Sequence, residues 1–557
     1  MKKRIYLFTA LLAWGVSFAY SQQVDIENLK NIGKNKPLTV TGGLSAGSIF
    51  YDGNAQSGRQ PWTYYLNGTV NFNLFGMINL PFSLNLTNLG KDFSYPSMPN
   101  RFSLHPTYKW ATAHIGDVAM TFSPYTLSGH QFTGAGVELT PGKWKISAMG
   151  GRLLKEVAYD ETAPSITPTY RRVGMGADVQ YLGDRFSVGM IYFAAKDKEN
   201  AMMQEAMDSL AIRPMENQAL SWNVGIDLVK NLSLKAEYAL SLLNIDTRAS
   251  KRVTYHYHAF NAQLSYQLWK NTIGVGYERI DPGYRTLGAY YFNNDYENLT
   301  LNYARPFLKD DKGSVAASFG VQRDNLDGKK EETSRRYVGS LNLTYNPTEN
   351  VQLSANYSTF QNYRNLKSQF DYINEMSPYD NMDTLRFTQL SQNLDFAANY
   401  TFKKTKQQQQ RLSLTVSYQE SADRQGGISL PGNVSRFLNS ALGYGLQLIP
   451  QAISLTSSLN ASYSYASVVE SYTIGPMVGL TAAFLKKQLT TDFSTAYNVN
   501  VNAGSVAARV LNLRLNAAYR IKKRHNFNAN VVWQNRDIKT RGKTDAVTTT
   551  VAYSYSF

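Results

Sequence analysis

Histidine is the residue type in this chain best suited to metal binding or acid–base chemistry, and it is scarce. The chain has 6 His and no Cys. His256 and His258 lie two positions apart, so on a strand they share one face, where two imidazoles could hold a metal ion. Parity with Leu264 and Tyr266 places that face outward, where both are better explained as interfacial side chains. The absence of Cys excludes disulfides and Cys-ligated zinc or iron–sulfur centres.

Other chemical signatures are missing from the sequence. The remaining histidines are His105, His114, His130 and His525. No Ser or Asp is marked out as a nucleophile by its surroundings, and no Gly-rich phosphate loop leads from a strand into a helix. We therefore expect a protein that is not an enzyme, with no catalytic residues, no metal and no cofactor.

The composition does not suit a soluble protein of this length. The chain has 557 residues, of which 43% are hydrophobic and 18% charged, with 38 Tyr among its aromatic residues. Soluble domains average about 45–50% apolar and about 25% charged residues. A mean hydropathy of −0.35 also leaves no room for a bundle of membrane helices, each of which needs about 20 apolar residues.

Apolar residues recur with a period of two along most of the chain. One example is the apolar series Leu232, Leu234, Ala236, Tyr238 and Leu240, which alternates with Ser233, Lys235, Glu237, Ala239 and Ser241. Successive side chains of a strand point to opposite faces, so such a segment has one apolar face and one polar face. The same pattern over 511–521 and 526–534 indicates strands of this kind up to the C-terminal region.

The connections between these segments alternate in length. Tight ones are expected near residues 76–77, 141–142, 183–184, 230–231, 270–271, 450–451, 486–487 and 522–523. Longer ones are expected at 52–62, 91–100, 155–168, 198–217, 281–296, 364–384 and 423–433. In a transmembrane β-barrel, short turns lie on the periplasmic side and long loops lie outside. A soluble sandwich has no reason to place all its long loops at one end.

These patterns predict an all-β fold, a transmembrane antiparallel up-and-down β-barrel of about 26 strands over residues 38–557. A count of 24 is the alternative, because the strands before residue 130 are the least regular. Strands about 4.8 Å apart, tilted by about 40°, would close into a ring roughly 50 Å across.

The N-terminal residues predict export. Lys2, Lys3 and Arg4 precede a 15-residue apolar run, and Ala19-Tyr20-Ser21 fits a cleavage site. This is the pattern of a secretory signal peptide, and the run is short for a membrane anchor. We expect a cleaved signal peptide over 1–21, a short periplasmic segment over 22–37, and a location in the outer membrane of a Gram-negative bacterium.

The C-terminal residues carry a resemblance. Val551, Tyr553, Tyr555 and Phe557 alternate with small or polar residues. This series resembles the C-terminal assembly signal of outer-membrane barrels, which ends in an aromatic residue. The resemblance implies the barrel-assembly machinery as a partner during biogenesis.

Two further stretches, 123–137 and 281–295, resemble the large outer-membrane barrels of Bacteroidota-type bacteria. The first contains Ser-Pro-Tyr-Thr-Leu-Ser-Gly-His, and the second begins Asp-Pro-Gly-Tyr and ends Phe-Asn-Asn-Asp. This functionally uncharacterised family implies no activity. The chain differs from TonB-dependent transporters, which have a plug domain of well over a hundred residues before the barrel, and from fimbrial ushers, which insert a folded plug.

A barrel this wide must be narrowed, because 22-stranded transporters already need a plugged lumen. Within the chain, the candidates are 22–37, 198–217, 281–296 and 364–384. Segment 198–217 contains Met202, Met203 and Met207 and would be either a short amphipathic helix or a surface loop with one helical turn. A partner in the lumen is the remaining candidate. Glycines on the inward face would leave room for a loop: Gly174, Gly176, Gly274 and Gly276.

Charged residues on the polar faces are expected to line the lumen. By parity these are Asp178, Asp227, Lys235, Glu237, Glu278, Asp395, Arg514 and Arg520. Both signs are present, so no ladder of one charge marks a cation or an anion channel.

Two functions remain open. The first is a porin-like channel, narrowed by its loops, that passes solutes across the outer membrane. The second is a structural subunit of a secretion, surface-display or barrel-assembly complex, with a protein partner in the lumen or at the rim. Basic clusters on predicted periplasmic turns, such as 403–406 and 522–524, contribute to the net charge of +16, and they would either face anionic head groups or be simple solvated turns. We therefore expect outer-membrane lipid and lipopolysaccharide as partners, and no nucleic acid.

Overall fold

The structure is a computed structural model. It describes residues 36–54, 60–88, 101–159, 168–199, 204–290, 292–307, 312–329, 335–359, 362–365, 387–425, 428–466 and 469–557. The expected signal peptide, most of the segment 22–37, and most of 364–384 lie outside these residues. No helix in the described ranges is both long and apolar enough to span a membrane.

The described chain is almost entirely β-structure. The first strands are β1 (Leu38–Gly53), β2 (Trp62–Leu74), β3 (Ile78–Thr87), β4 (Arg101–Leu104), β5 (Thr107–Tyr108), β6 (Ala111–Ala119), β7 (Gln131–Leu139), β8 (Trp144–Leu154), β9 (Arg171–Leu182) and β10 (Phe186–Lys198). A short helix, α1 (Gln204–Ser209), follows, and then β11 (Glu216–Val229), β12 (Leu232–Asn244), β13 (Tyr255–Leu268), β14 (Asn271–Ile280), β15 (Tyr296–Phe307), β16 (Gly313–Arg323), β17 (Arg335–Thr348), β18 (Val351–Ser358) and β19 (Asn362–Asn365). The last strands are β20 (Phe387–Lys404), β21 (Gln408–Gln425), β22 (Ile428–Leu448), β23 (Ile453–Ala466), β24 (Val469–Phe484), β25 (Leu489–Asn502), β26 (Ser505–Ile521), β27 (His525–Ile538) and β28 (Gly542–Ser556).

These 28 segments form 26 barrel strands, as the sequence predicts. β4 and β5 are two parts of one strand, since both pair with β3 and with β6. Pro106 lies between the two parts and has no N–H to give to the ladder. β18 and β19 likewise pair with successive parts of β20.

All pairings of the barrel are antiparallel between neighbours along the chain, and β28 pairs with β1 to close it. At the closure, Gly42 and Phe557 exchange reciprocal backbone hydrogen bonds of 2.9 and 3.0 Å. Closure leaves no free sheet edge, which is the condition for a β-structure to span lipid.

The two ends of the barrel differ as expected. All the predicted tight connections lie at one end, here called the short-turn end, and the longer ones lie at the long-loop end. The loop predicted at 423–433 is wrong. β21 runs to Gln425 and β22 begins at Ile428, with Arg424 paired to Ser429. The polar composition of this stretch is typical of a loop, but a strand that extends beyond the bilayer needs no apolar face.

The two faces of the wall differ in composition. On β10, Val188 and Met190 are about half exposed, whereas Ile191 and Phe193 are completely buried. The exposed apolar side chains lie on the outer face, and they continue around the barrel, for example at Leu301, Leu459 and Leu515. A water-exposed belt of this size would be unfavourable, so the outer face is suited to contact lipid.

Candidate functional site inside the barrel

Two connections at the long-loop end fold against the inner wall and pair with each other. They are lumen loop 1, residues 120–130 between β6 and β7, and lumen loop 2, residues 281–290 and 292–295 between β14 and β15. Leu127 and Gly288 form a parallel β-bridge, and the Ser128 N–H donates to the Gly288 carbonyl at 2.9 Å. The two loops therefore form one unit, which we call the plug.

Side-chain hydrogen bonds reinforce this pairing. The Tyr284 hydroxyl donates to the Tyr125 carbonyl at 2.8 Å, and the Thr286 hydroxyl donates to the Thr126 carbonyl at 2.5 Å. All four of these side chains are buried. Buried backbone carbonyls need such partners because an unmade hydrogen bond costs about 1–3 kcal/mol. These two carbonyls of lumen loop 1 are thus satisfied by side chains of lumen loop 2.

Apolar side chains attach the plug to the wall. Leu127 and Leu287 of the two loops pack in one buried cluster with wall residues of β6, β7, β8, β10 and β11, namely Val118, Phe132, Met149, Leu153, Phe193, Ala195 and Ala219. Tyr125 and Tyr284 form a second cluster with Ala239, Ala259 and Ile280 of β12, β13 and β14. The inner wall from β6 to β14 thus supplies a core for the plug.

Two of the predicted lumen-facing carboxylates bind the plug. Glu237 accepts a hydrogen bond from the Ser123 hydroxyl of lumen loop 1 and another from Ser221. Glu278 accepts from the Tyr125 hydroxyl at 2.6 Å. Charged acceptors make stronger hydrogen bonds than neutral ones. These carboxylates therefore act as anchors for the plug.

Inward glycines give the plug room. A Cβ atom on Gly176 would lie 2.9 Å from Phe122 of lumen loop 1, and one on Gly136 would overlap the Met120 sulfur. Gly176 was among the glycines expected to leave space, and Gly136 was not. The atoms nearest to a Cβ on Gly274 or Gly276 would belong to neighbouring strands of the wall.

The segment 198–217 lies at the rim. Its described part forms α1, whose Met207 is buried against Tyr170 and Ile212. Arg248 from the next loop binds Asp208 at 2.7 Å and Asp246 at 3.2 Å. Of the two alternatives for this segment, the structure has a short helix of 6 residues, and this helix joins neighbouring loops at the long-loop end.

The other predicted lumen residues have different surroundings. Asp178 is almost fully buried and accepts from the Gln180 amide, whereas Asp227, Lys235 and Arg520 are exposed. Asp395 accepts from the Ser417 hydroxyl at 2.8 Å, and Arg514 donates to the Asn530 amide oxygen at 3.2 Å. Asp395, Arg514 and Asn530 belong to β20, β26 and β27, which lie outside the wall that holds the plug.

The predicted assembly signal lies on the closing strand. Val551, Tyr553 and Tyr555 belong to β28, and Phe557 follows it. Tyr553 packs on Phe527 with ring centroids 4.9 Å apart, and Tyr555 stacks on Phe557 at 5.6 Å. These rings form an aromatic cluster at the short-turn end, as in the girdles of membrane barrels.

The histidines form no evident metal centre. The His258 Nδ1 atom lies 2.6 Å from the Tyr238 hydroxyl on the outer face, and His256 is exposed. His105 and His114, which the sequence did not connect, lie with their Nδ1 atoms 2.8 Å apart on the inner wall. Within the described ranges, no three His, Asp or Glu side chains are grouped as metal ligands.

His130, at the end of lumen loop 1, is buried and stacks on Tyr290 of lumen loop 2 at 4.2 Å. Burial lowers the pKa of His130 to about 4, and the nearby Arg172 acts in the same direction, while a backbone hydrogen bond to Gln131 opposes it. The imidazole is therefore neutral at physiological pH, because burial inside the plug disfavours its charged form.

Sequence reasoning identified 281–296 as a candidate to narrow the lumen but missed lumen loop 1 as its partner. The signal that could have found it is the resemblance itself, since the two stretches that carry it are the two that pair. His130, Gly136 and Ser123 had no periodicity that marked them as plug residues.

No protein-family model and no curated protein matches this sequence. Several solved structures have a similar barrel. The P pilus usher (PapC) translocation pore matches over 93% of this chain and 99% of its own, at 12% identity and a TM-score of 0.38. The copper transporter OprC matches over 94% and 81%, at 11% identity and 0.39. The OccK11 (OpdR) protein of Pseudomonas aeruginosa matches over 58% and 90%, at 13% identity and 0.35. These scores are too low to support an argument about function.

Proposed function

We propose that this protein is an outer-membrane channel, narrowed by its own plug, that lets polar solutes pass by diffusion. One observation carries the proposal: the apolar clusters and carboxylate hydrogen bonds that attach the plug belong to the wall from β6 to β14, which is nine of the 26 barrel strands. A ring of roughly 50 Å is wide enough for an aqueous path beside a plug of two short loops.

The inner wall outside these nine strands is polar and suited to contact water. Asn and Gln side chains there bond to each other or to hydroxyls across strands, as in Gln534 to Asn512 at 2.8 Å and Asn500 to Ser471 at 2.6 Å. Such groups exchange readily with water and bind no solute tightly, which suits diffusion.

The outer face supports placement in a membrane. Its apolar belt is bordered by aromatic pairs at both ends, such as Trp62 with Tyr64 at the long-loop end and Trp144 with Tyr181 at the short-turn end. Trp and Tyr favour the membrane interface. We propose that the short-turn end faces the periplasm, where the predicted signal peptide and assembly signal would bring the chain.

Planar-bilayer recording of the purified barrel tests the channel. We expect discrete conductance steps without any partner, and larger steps when residues 121–129 are replaced by a Gly-Ser linker. An absence of steps in both forms would contradict the proposal. If another membrane protein then co-purified in equal amounts, the protein would instead be a subunit of a larger complex.

A further inference from the structure

Arg285 stands out among the charged residues of the plug because nothing described neutralises it. Its neighbours Tyr284 and Thr286 are buried, but the Arg285 side chain is exposed. Its guanidinium makes one recorded contact, from Nη1 to the Met215 sulfur at 3.7 Å. No carboxylate in the described part of the chain is paired with it, whereas the rim arginine Arg248 binds two.

The backbone that carries this guanidinium is held to the wall. The Arg285 carbonyl accepts hydrogen bonds from the Ser241 hydroxyl at 2.6 Å and from the Asn217 amide at 3.4 Å. Asn217 also accepts from the Leu287 N–H at 3.1 Å, so the backbone from Arg285 to Leu287 is held to the wall. A ligand bound there would not have to order a loose loop.

Asp197, the acid that acts on Arg285, is already paired with other groups. Asp197 is buried and accepts two hydrogen bonds from Arg172, at 2.7 and 3.0 Å, and one from the Met215 N–H at 3.1 Å. Although water reaches Arg285, enclosure by the wall and plug lowers its pKa, and Arg172 adds to this effect, while Asp197 opposes it in part. The local charge therefore favours an incoming anion.

We propose that Arg285 is an anion-binding site at the long-loop side of the plug, which selects solutes bearing a carboxylate or phosphate group. A guanidinium presents paired N–H donors that match the two oxygens of either group. This inference rests on the proposed channel, in which Arg285 would be the specificity-determining residue beside the plug.

Reversal potentials in a KCl gradient test the site in the channel. We expect wild-type protein to favour chloride over potassium more than Arg285→Gln does, and Arg285→Glu to reverse the preference. Arg520→Gln is the matched control, because Arg520 also faces the lumen by parity but lies at the short-turn end, away from the plug. Equal selectivity in wild type and Arg285→Glu would overturn the inference while leaving the channel intact.

A binding measurement distinguishes failure of the anion site from failure of the channel, since binding can be measured without conductance. Sodium citrate and inorganic phosphate, with neutral sucrose as the blank, are titrated into detergent-solubilised barrel by calorimetry. We expect Arg285→Gln to weaken binding of the preferred anion roughly tenfold or more, since a neutral amide replaces a charged hydrogen-bond donor. Whichever of citrate and phosphate binds more tightly identifies the group recognised, a carboxylate or a phosphate. Binding that is absent in wild type, or unchanged in Arg285→Gln, would overturn the site whether or not the barrel conducts.

Discussion

The Tyr284 hydroxyl donates a hydrogen bond to the backbone carbonyl of Tyr125 at 2.8 Å, across 159 residues of sequence. This contact joins two loops that leave different parts of the wall, and both tyrosines are buried. At these rings the loops pack against Ala239, Ala259 and Ile280 of the wall. The plug is thereby a packed part of the barrel, and its contacts can be tested one at a time.

Close packing at Gly288 predicts that a side chain there will displace the plug. A Cβ atom at Gly288 would lie 2.5 Å from the Thr126 carbonyl oxygen and 2.8 Å from the Phe193 ring. We expect Gly288→Val to give larger or noisier conductance steps in planar bilayers. Gly445→Val is the matched control, because a Cβ atom there meets nothing within 4 Å. Equal conductance in the two variants would show that the plug does not limit the path.

Loss of the Glu237 carboxylate is expected to loosen lumen loop 1. Glu237→Ala leaves the hydroxyls of Ser123 and Ser221 without their acceptor, at a cost of about 1–3 kcal/mol. The readout is current noise, together with the midpoint of urea unfolding in lipid vesicles. Asp395→Ala removes a similar acceptor, that of Ser417, from a strand outside the plug wall. If both variants produce the same noise, Glu237 has no special role in holding the plug.

Acid is expected to release the plug through His130. Its pKa of about 4 lies below the ordinary value of 6.5 because the imidazole is buried, so the released loop binds a proton more readily than the packed one. The stabilisation is fully present above about pH 6.5 and is lost as the pH falls toward 4. The full effect is roughly 3 kcal/mol, since one pKa unit corresponds to about 1.4 kcal/mol.

The measurement for His130 is current noise as the pH is lowered. We expect wild type to become noisier between about pH 6.5 and 4, and His130→Phe, which keeps a ring against Tyr290, to respond less. An identical acid response in both proteins would assign the effect to other groups.

Strand parity makes a prediction about which side chains face water. The chain contains no Cys, so single cysteines can be placed without interference. We expect Lys235→Cys and Arg520→Cys to react with a membrane-impermeant maleimide in proteoliposomes, and the neighbours Leu234→Cys and Tyr519→Cys to be protected by lipid. Protection of the first pair with labelling of the second would invert the proposed lumen face.

The C-terminal residue is expected to matter for assembly. Phe557 exchanges two backbone hydrogen bonds with Gly42 and stacks on Tyr555. Deleting Phe557 should lower the amount of heat-modifiable barrel in the outer membrane and increase periplasmic degradation. Phe557→Tyr, which keeps an aromatic ring, is the control and should assemble normally. Normal levels of the truncated chain would contradict the assembly-signal interpretation.

The sequence by itself determined the wall. Period-two alternation is a local property, because each strand residue chooses a face relative to its neighbours, and it holds wherever lipid lies on one side and water on the other. Alternating connection lengths then predict the strand count and the two ends. The prediction is wrong at 423–433, because the strands there continue beyond the region in which lipid imposes an alternating pattern.

Only the tertiary structure decided what fills the ring. Lumen loops 1 and 2 meet because strands β7 to β14 curve between them, and no local pattern records that distance. The same curvature brings Glu237 and Glu278 to Ser123 and Tyr125, and pairs Arg285 with no acid among the described residues. Parity could predict that these carboxylates face inward, whereas their partners follow from contacts between residues far apart in the chain.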